Sequence, residues 1–174
     1  AADERASLAM CAINLSGQSM GDDQFLPFVI DQFRLSGLDA SRICFEITET
    51  SAIANFSQAS RFIQSLRGLG CRFALDDFGT GLSSFGYLKH FQVDFLKIDG
   101  SFVKDLLNDS VDREMVRSIN EIGHLTGKKT IAEYAESEEI VAMLRAIGVD
   151  YAQGFGVARP ERLPTGAEWV AGRG

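Results

Sequence analysis

The chain has 174 residues, 45% of them apolar, and a formal charge of −7 at neutral pH. That length suits one ordinary domain with a full core. The negative charge excludes a general binder of nucleic-acid polymers, which needs a basic face towards the phosphates, and no apolar run reaches the ~18 residues of a membrane span.

Taken in chain order, short apolar runs alternate with longer segments of helical spacing. Leu8–Leu15 is predicted as the first strand, and the stripe Phe25, Leu26, Val29, Ile30 and Phe33 as a helix that ends at Gly37. A strand over Arg42–Thr48 follows, then a helix carrying Phe56, Phe62, Ile63, Leu66 and Leu69 and ending at Gly70. Cys71–Asp76 and Val93–Asp99 are the next strands. Met115, Ile119 and Ile122 mark a helix ending at Gly127, before a strand over Lys129–Glu133. Ile140, Val141 and Leu144 mark the last helix, which Gly148 closes before the strand Val149–Gln153. Glycine is the expected residue where a helix leaves through a left-handed C-cap. This βα order predicts a mainly parallel sheet with helices outside it and strands buried on both faces. One domain, residues 1–174, covers the chain. It opens at Ala1 without a signal-peptide pattern, which reads as a portion of a longer protein.

Cys11, Cys44 and Cys71 each sit in an apolar stretch without CxxC spacing, so zinc and a disulfide framework are not expected. Free thiols of this kind fit a reducing cytoplasm. His90 and His124 have no partner at metal-ligand spacing and read as surface or loop residues.

Polar residues fall at the strand ends: Asn14, Glu46 with Thr48 and Glu49, Asp76 with Asp77, Lys97 with Asp99, Glu133, and Gln153. In parallel βα folds the C-terminal strand ends converge on one face, which holds the site. Any one of these residues could be a solvated loop group; six strands with the same phase favour a shared site. Two adjacent carboxylates, Asp76 and Asp77, repel unless a cation holds them. A hard divalent ion such as Mg²⁺ or Mn²⁺ suits an all-oxygen donor set, and a bridging carboxylate suits a pair of ions. Lys97 has three readings: stabiliser of an anionic phosphate and attacking hydroxide, Schiff-base nucleophile, or structural partner of Asp99. After the acidic pair, Phe78-Gly79-Thr80-Gly81 forms a glycine loop followed by Ser83 and Ser84, which lacks the lysine and spacing of a Walker loop.

Together these motifs resemble the EAL domain, the bacterial cyclic di-GMP phosphodiesterase. The matching residues are Asn14 in INLS, Glu46 and Glu49 in FEITET, and DDFGTG from Asp76 to Gly81. Lys97 in LKID, Glu133 and Glu136 in AEYAE, and Gln153-Gly154-Phe155 before Arg159-Pro160 complete the set. The resemblance implies a modified (β/α)₈ barrel of the TIM type, here lacking the first strand and helix, that hydrolyses cyclic di-GMP to linear pGpG with two Mg²⁺ or Mn²⁺ ions. By position, Asn14, Glu46 and Asp76 would bind the first ion, and Asp76 would bridge to a second held near Asp77 and Glu133. Lys97, Glu133 and Gln153 would serve catalysis, with Lys97 positioning or activating the water and Gln153 close to it. Glu49 would tether the loop after Asp77, a segment linked in the family to dimer contacts. Thr80, Asp99 and Glu136 would order that loop or support the metal-binding side chains. A homodimer and upstream sensory or cyclase-like domains are also implied.

There are two departures from the family pattern. Tyr134-Ala135 stands where Gly-Val is common, read as a change of packing that leaves both glutamates. The Glu-Ala-Leu motif itself, whose glutamate is a metal ligand, is absent from the 174 residues. Two other functions compete: a non-catalytic cyclic di-GMP receptor, and an aldolase using Lys97.

Overall fold

The computed structural model describes residues 9–81 and 85–161. Leu8, the start of the first predicted strand, and the loop serines Ser83 and Ser84 lie outside the described residues. Six strands form one sheet in sequential order: β1 (Cys11–Leu15), β2 (Ile43–Thr48), β3 (Arg72–Phe78), β4 (Phe95–Ile98), β5 (Lys129–Ala132) and β6 (Tyr151–Ala152). Every neighbouring pair is parallel. The helices are α1 (Gly17–Gly21), α2 (Phe25–Ser36), α3 (Glu49–Ala54), α4 (Phe56–Arg67), α5 (Gly100–Lys104), α6 (Ser110–Leu125) and α7 (Glu138–Ile147). Repeated βα units around one parallel sheet make this a portion of a (β/α)₈-type barrel, the fold class expected.

All six predicted strands are present, with shifted ends. Val93–Asp99 shortens to Phe95–Ile98, because Asp94 accepts hydrogen bonds from Arg67 and from the Phe73 amide, and Asp99 caps α5. Val149–Gln153 shrinks to the two residues of β6, whereas β3 runs past Asp76 to Phe78. The four apolar stripes lie on α2, α4, α6 and α7, although Leu69 falls beyond α4 and is exposed. Gly37, Gly70, Gly127 and Gly148 all have positive φ (61° to 104°), the conformation their places before the next strand require.

Side chains alternate across a strand, and that alternation divides the core. Phe45, Ile47, Phe73, Leu75, Leu96 and Ile98 belong to the large cluster beneath the helices. Cys44, Ala74 and Phe95, with Met10 and Ile131, form a small cluster apart from it. Two-sided burial therefore holds for β2, β3 and β4. It fails for β1, where Ala12, Ile13 and Asn14 are exposed, because among the described residues β2 alone lies beside it. The three thiols are free; Cys44 and Cys71 are buried, and Cys11 only partly so. Burial, followed by nearby Glu46, pushes Cys44 up to about 12, and burial pushes Cys71 up to about 11.

Candidate metal and phosphodiester site

Two residues beyond four members of the small cluster stands a charged group on the same face; Met10 leads only to Ala12. Cys44 leads to Glu46, Ala74 to Asp76, Phe95 to Lys97 and Ile131 to Glu133. The period of the strand thus stacks an ionic layer on an apolar one, at the C-terminal end of the sheet. Lys97 Nζ lies 2.8 Å from Glu46 Oε2, 2.8 Å from Asp76 Oδ1 and 2.8 Å from Glu133 Oε1. Its side chain is 4% exposed, so all three ammonium protons are directed at carboxylates. Burial works to lower the Lys97 pKa, but the contacts with Asp76, Glu133 and Glu46 together outweigh it. The value stands above that of an ordinary lysine. Three carboxylates at 2.8 Å favour the ammonium form, which is no nucleophile and counts against the Schiff-base reading.

Asp77 reaches the same place by a backbone irregularity. In an unbroken strand it would share a face with Leu75, under the helices. The register between β3 and β4 shifts between Leu75 and Phe78, and Asp77 takes φ 53°. This extra residue turns the second carboxylate back towards the first, as bulges beside active sites do. Oxygen atoms of Asp76, Asp77 and Glu133 consequently lie within 4.8 Å of one another. Burial, then Asp76 and Asp99, raises the Asp77 pKa. Burial also raises that of Glu133, against the lowering by Lys97. Carboxylates crowded this closely fit a hard divalent cation, and the donor set is oxygen throughout.

The other predicted residues occupy varied places. Asn14 stands on exposed β1, in register with Glu46. Gln153 follows β6 and lines an open pocket of about 310 Å³ with Glu133, Tyr134, Glu136, Phe155 and Pro160. Thr80 Oγ1 donates to the Asp77 carbonyl (3.0 Å). Asp99 is not the partner of Lys97; it caps α5 by accepting from the Ser101 amide (2.8 Å). Thr48 likewise caps α3. Those two strand-end groups serve the backbone. Glu49 is 1% exposed and accepts from the Gly79 amide (3.1 Å) and from the Tyr87 hydroxyl. Burial, and then Glu49 beside it, raises the Tyr87 pKa, which keeps that hydroxyl a donor. His124, read as an ordinary surface residue, pairs with Asp150 at 2.8 Å.

Two features escaped the sequence reading. Tyr87 carried no signal, being one aromatic residue in an apolar stretch. Tyr134, read as a packing change, has φ 54°. Glycine adopts that conformation freely, whereas a bulky residue is strained there. The Tyr134 ring covers Gly100, where a Cβ would meet it at 2.1 Å, and Lys104 Nζ lies 4.3 Å from its centroid.

Comparison with known proteins bears on the family and the fold. The family model described as "EAL domain" matches residues 2–160. The chain is 42% identical over 157 residues to a cyclic di-GMP phosphodiesterase, PdeB, of Shewanella oneidensis, covering 90% of this chain and 18% of the relative. It superposes on the FimX EAL domain of Pseudomonas aeruginosa bound to c-di-GMP with a TM-score of 0.83 and 32% identity. That match covers 91% of this chain and 67% of the other. BlrP1 of Klebsiella pneumoniae, in a calcium and cyclic di-GMP complex, gives a TM-score of 0.82 at 30% identity, covering 91% of this chain and 40% of the other. The chain spans about a fifth of the length of the curated relatives it matches.

Proposed function

The chain belongs to the EAL domain family, and from that premise we propose that it hydrolyses cyclic di-GMP to linear pGpG in bacterial second-messenger signalling. The observation that carries this reading is the convergence of Glu46, Asp76 and Glu133 on one buried ammonium, with Asp77 completing the oxygen cluster. Four carboxylates against one lysine leave a strongly negative site, which repels a phosphodiester unless cations are held there. Two divalent ions, Mg²⁺ or Mn²⁺, would reverse that sign. Asp76, Asp77 and Glu133, with Glu46 and Asn14 beside them, are the residues that would hold them.

Bound divalent ions supply an acidified water and stabilise the oxygens of an in-line displacement at phosphorus. The chain's own groups do the rest. Lys97 keeps three carboxylates at fixed separation and offers positive charge where negative charge develops on phosphorus-bound oxygen. As an ammonium held by these carboxylates, it would orient and polarise water. Gln153 and Glu136, on the open pocket, are placed to contact substrate beside Glu133.

The test is incubation with cyclic di-GMP and Mn²⁺, following pGpG. Turnover should stop with EDTA and in Asp76→Ala. Tight binding of cyclic di-GMP without turnover would instead make the chain a receptor. The same reading pairs the chain into a homodimer, which sedimentation velocity tests, and sets it beside sensory or cyclase-like domains, since its relatives are about five times as long.

A further inference from the structure

Glu49 is the first residue of α3 and its carboxylate is buried, yet among the described residues no lysine, arginine or histidine pairs with it. A buried carboxylate must then be held by hydrogen bonds. Each of its oxygens has one: Oε2 accepts from the Gly79 amide at 3.1 Å, and Oε1 accepts from the Tyr87 hydroxyl. Gly81, two residues beyond Gly79, also comes close to it. A Cβ on Gly81 would lie 3.2 Å from Glu49 Oε1, and a Cβ on Gly79 would lie 2.8 Å from Ile119 Cδ1. Gly79, at φ 102°, is two residues from Asp77, whose own left-handed turn is closed by the Thr80 hydroxyl. Nothing else among the described contacts orients the Oε1 side of Glu49.

We propose that the Tyr87 hydroxyl is a positioning group for the acidic site: by donating to Glu49 Oε1 it fixes the carboxylate that holds Gly79, and through Gly79 the turn that presents Asp77 beside Asp76. The proposal rests on the metal-site reading above. Outer partners of metal ligands typically change metal affinity by ~10–100-fold when removed. Among the described contacts Tyr87 does not touch the acidic cluster, and Glu49 is the group that links its hydroxyl to the Gly79 turn.

The test compares the wild-type chain with Tyr87→Phe, Glu49→Gln and the double variant. Tyr87→Phe keeps the ring and its edge-on contact with Phe91, at 6.0 Å between centroids, so folding survives. Mn²⁺ affinity is measured by titration calorimetry without substrate, and Gly79 amide exchange in metal-free protein. Tyr87→Phe should weaken Mn²⁺ binding about tenfold or more and speed exchange at Gly79. In the double variant the loss should not exceed that of Glu49→Gln alone, because both act through one carboxylate. Unchanged Mn²⁺ affinity and Gly79 exchange in Tyr87→Phe, or full additivity with Glu49→Gln, overturns the proposal and leaves the metal site standing. Failure of the wild-type chain to bind Mn²⁺ overturns both.

Discussion

Lys97 is the residue on which the site's balance turns, since one ammonium faces three carboxylates with little water between them. Removing one partner of such a cluster leaves uncompensated buried charge and typically costs about 3–5 kcal/mol. Lys97→Met, close in volume, should therefore unfold at markedly lower denaturant concentration at neutral pH. The sign with pH follows from the carboxylates left behind. Without the ammonium their folded pKa values rise above the unfolded ones, so the penalty is full above those raised values. It disappears as pH falls below the ordinary values near 4. Urea unfolding of Lys97→Met at pH about 4 and about 7.5 should show the deficit only at the higher pH; equal deficits would mean that packing, not charge, is lost. At this scale the sequence was informative where residue type alone constrains the chemistry. Adjacent aspartates demand a cation, but their meeting on one face depends on a bulge that no residue type announces. Tyr134 shows the converse: its departure from glycine was visible, and its cost was not, because φ 54° is a property of the turn.

The βα unit was legible because hydrophobic period and glycine exits are local. How tightly neighbouring units press together was not. Gly123 on α6 lies so near β5 that a Cβ there would stand 2.7 Å from Thr130 Cγ2. Thr130 cannot turn aside, since its hydroxyl is held by Asn120 and by Asp150. Gly123→Ala gains about 1 kcal/mol of helix propensity, against an overpacking cost of about 1–3 kcal/mol. With a contact this short, net destabilisation is expected, readable as a lower midpoint in thermal unfolding. Asp150, just before β6, ties the same units by accepting from the Thr130 amide (2.9 Å) and from His124 (2.8 Å). Burial raises the Asp150 pKa, but these hydrogen bonds outweigh it and hold the value below 3.8. A depressed folded pKa gives stability that is present above 3.8 and lost as pH falls through the lower folded value. Asp150→Ala should cost about 1 kcal/mol at neutral pH, and denaturation well below pH 3.8 should show the difference from wild type vanishing.

At the scale of the molecule, the six parallel strands among the described residues gather their C-terminal ends on one side, and β1 carries an exposed face. Such a sheet concentrates negative charge at one end, and a cation bound there only in the folded state stabilises it by mass action. Mn²⁺ at about 100 times its dissociation constant should add about 2.7 kcal/mol and raise the melting temperature by several degrees. The shift should vanish in Asp76→Ala. An equal shift in wild type and variant would place the ion elsewhere. No helix among the described residues is long and apolar enough to cross a membrane, in keeping with the absence of an apolar run of that length in the chain.

The sequence by itself determined the order of strands and helices, the phase of the polar residues at the strand ends and the oxygen character of the site. Each of these follows from local period, local turn chemistry or side-chain type. Only the tertiary structure decided which of those residues meet. Lys97 stands 51 positions from Glu46 and 36 from Glu133, and it joins them with Asp76 because parallel pairing brings distant strands into register. Thr48, equally polar and equally placed, was taken instead by a helix cap, while Asp99 caps a helix and also faces Asp77. Tyr87 acquired a partner because its hydroxyl meets Glu49, 38 positions earlier and in another βα unit, a contact that leaves no pattern within either one.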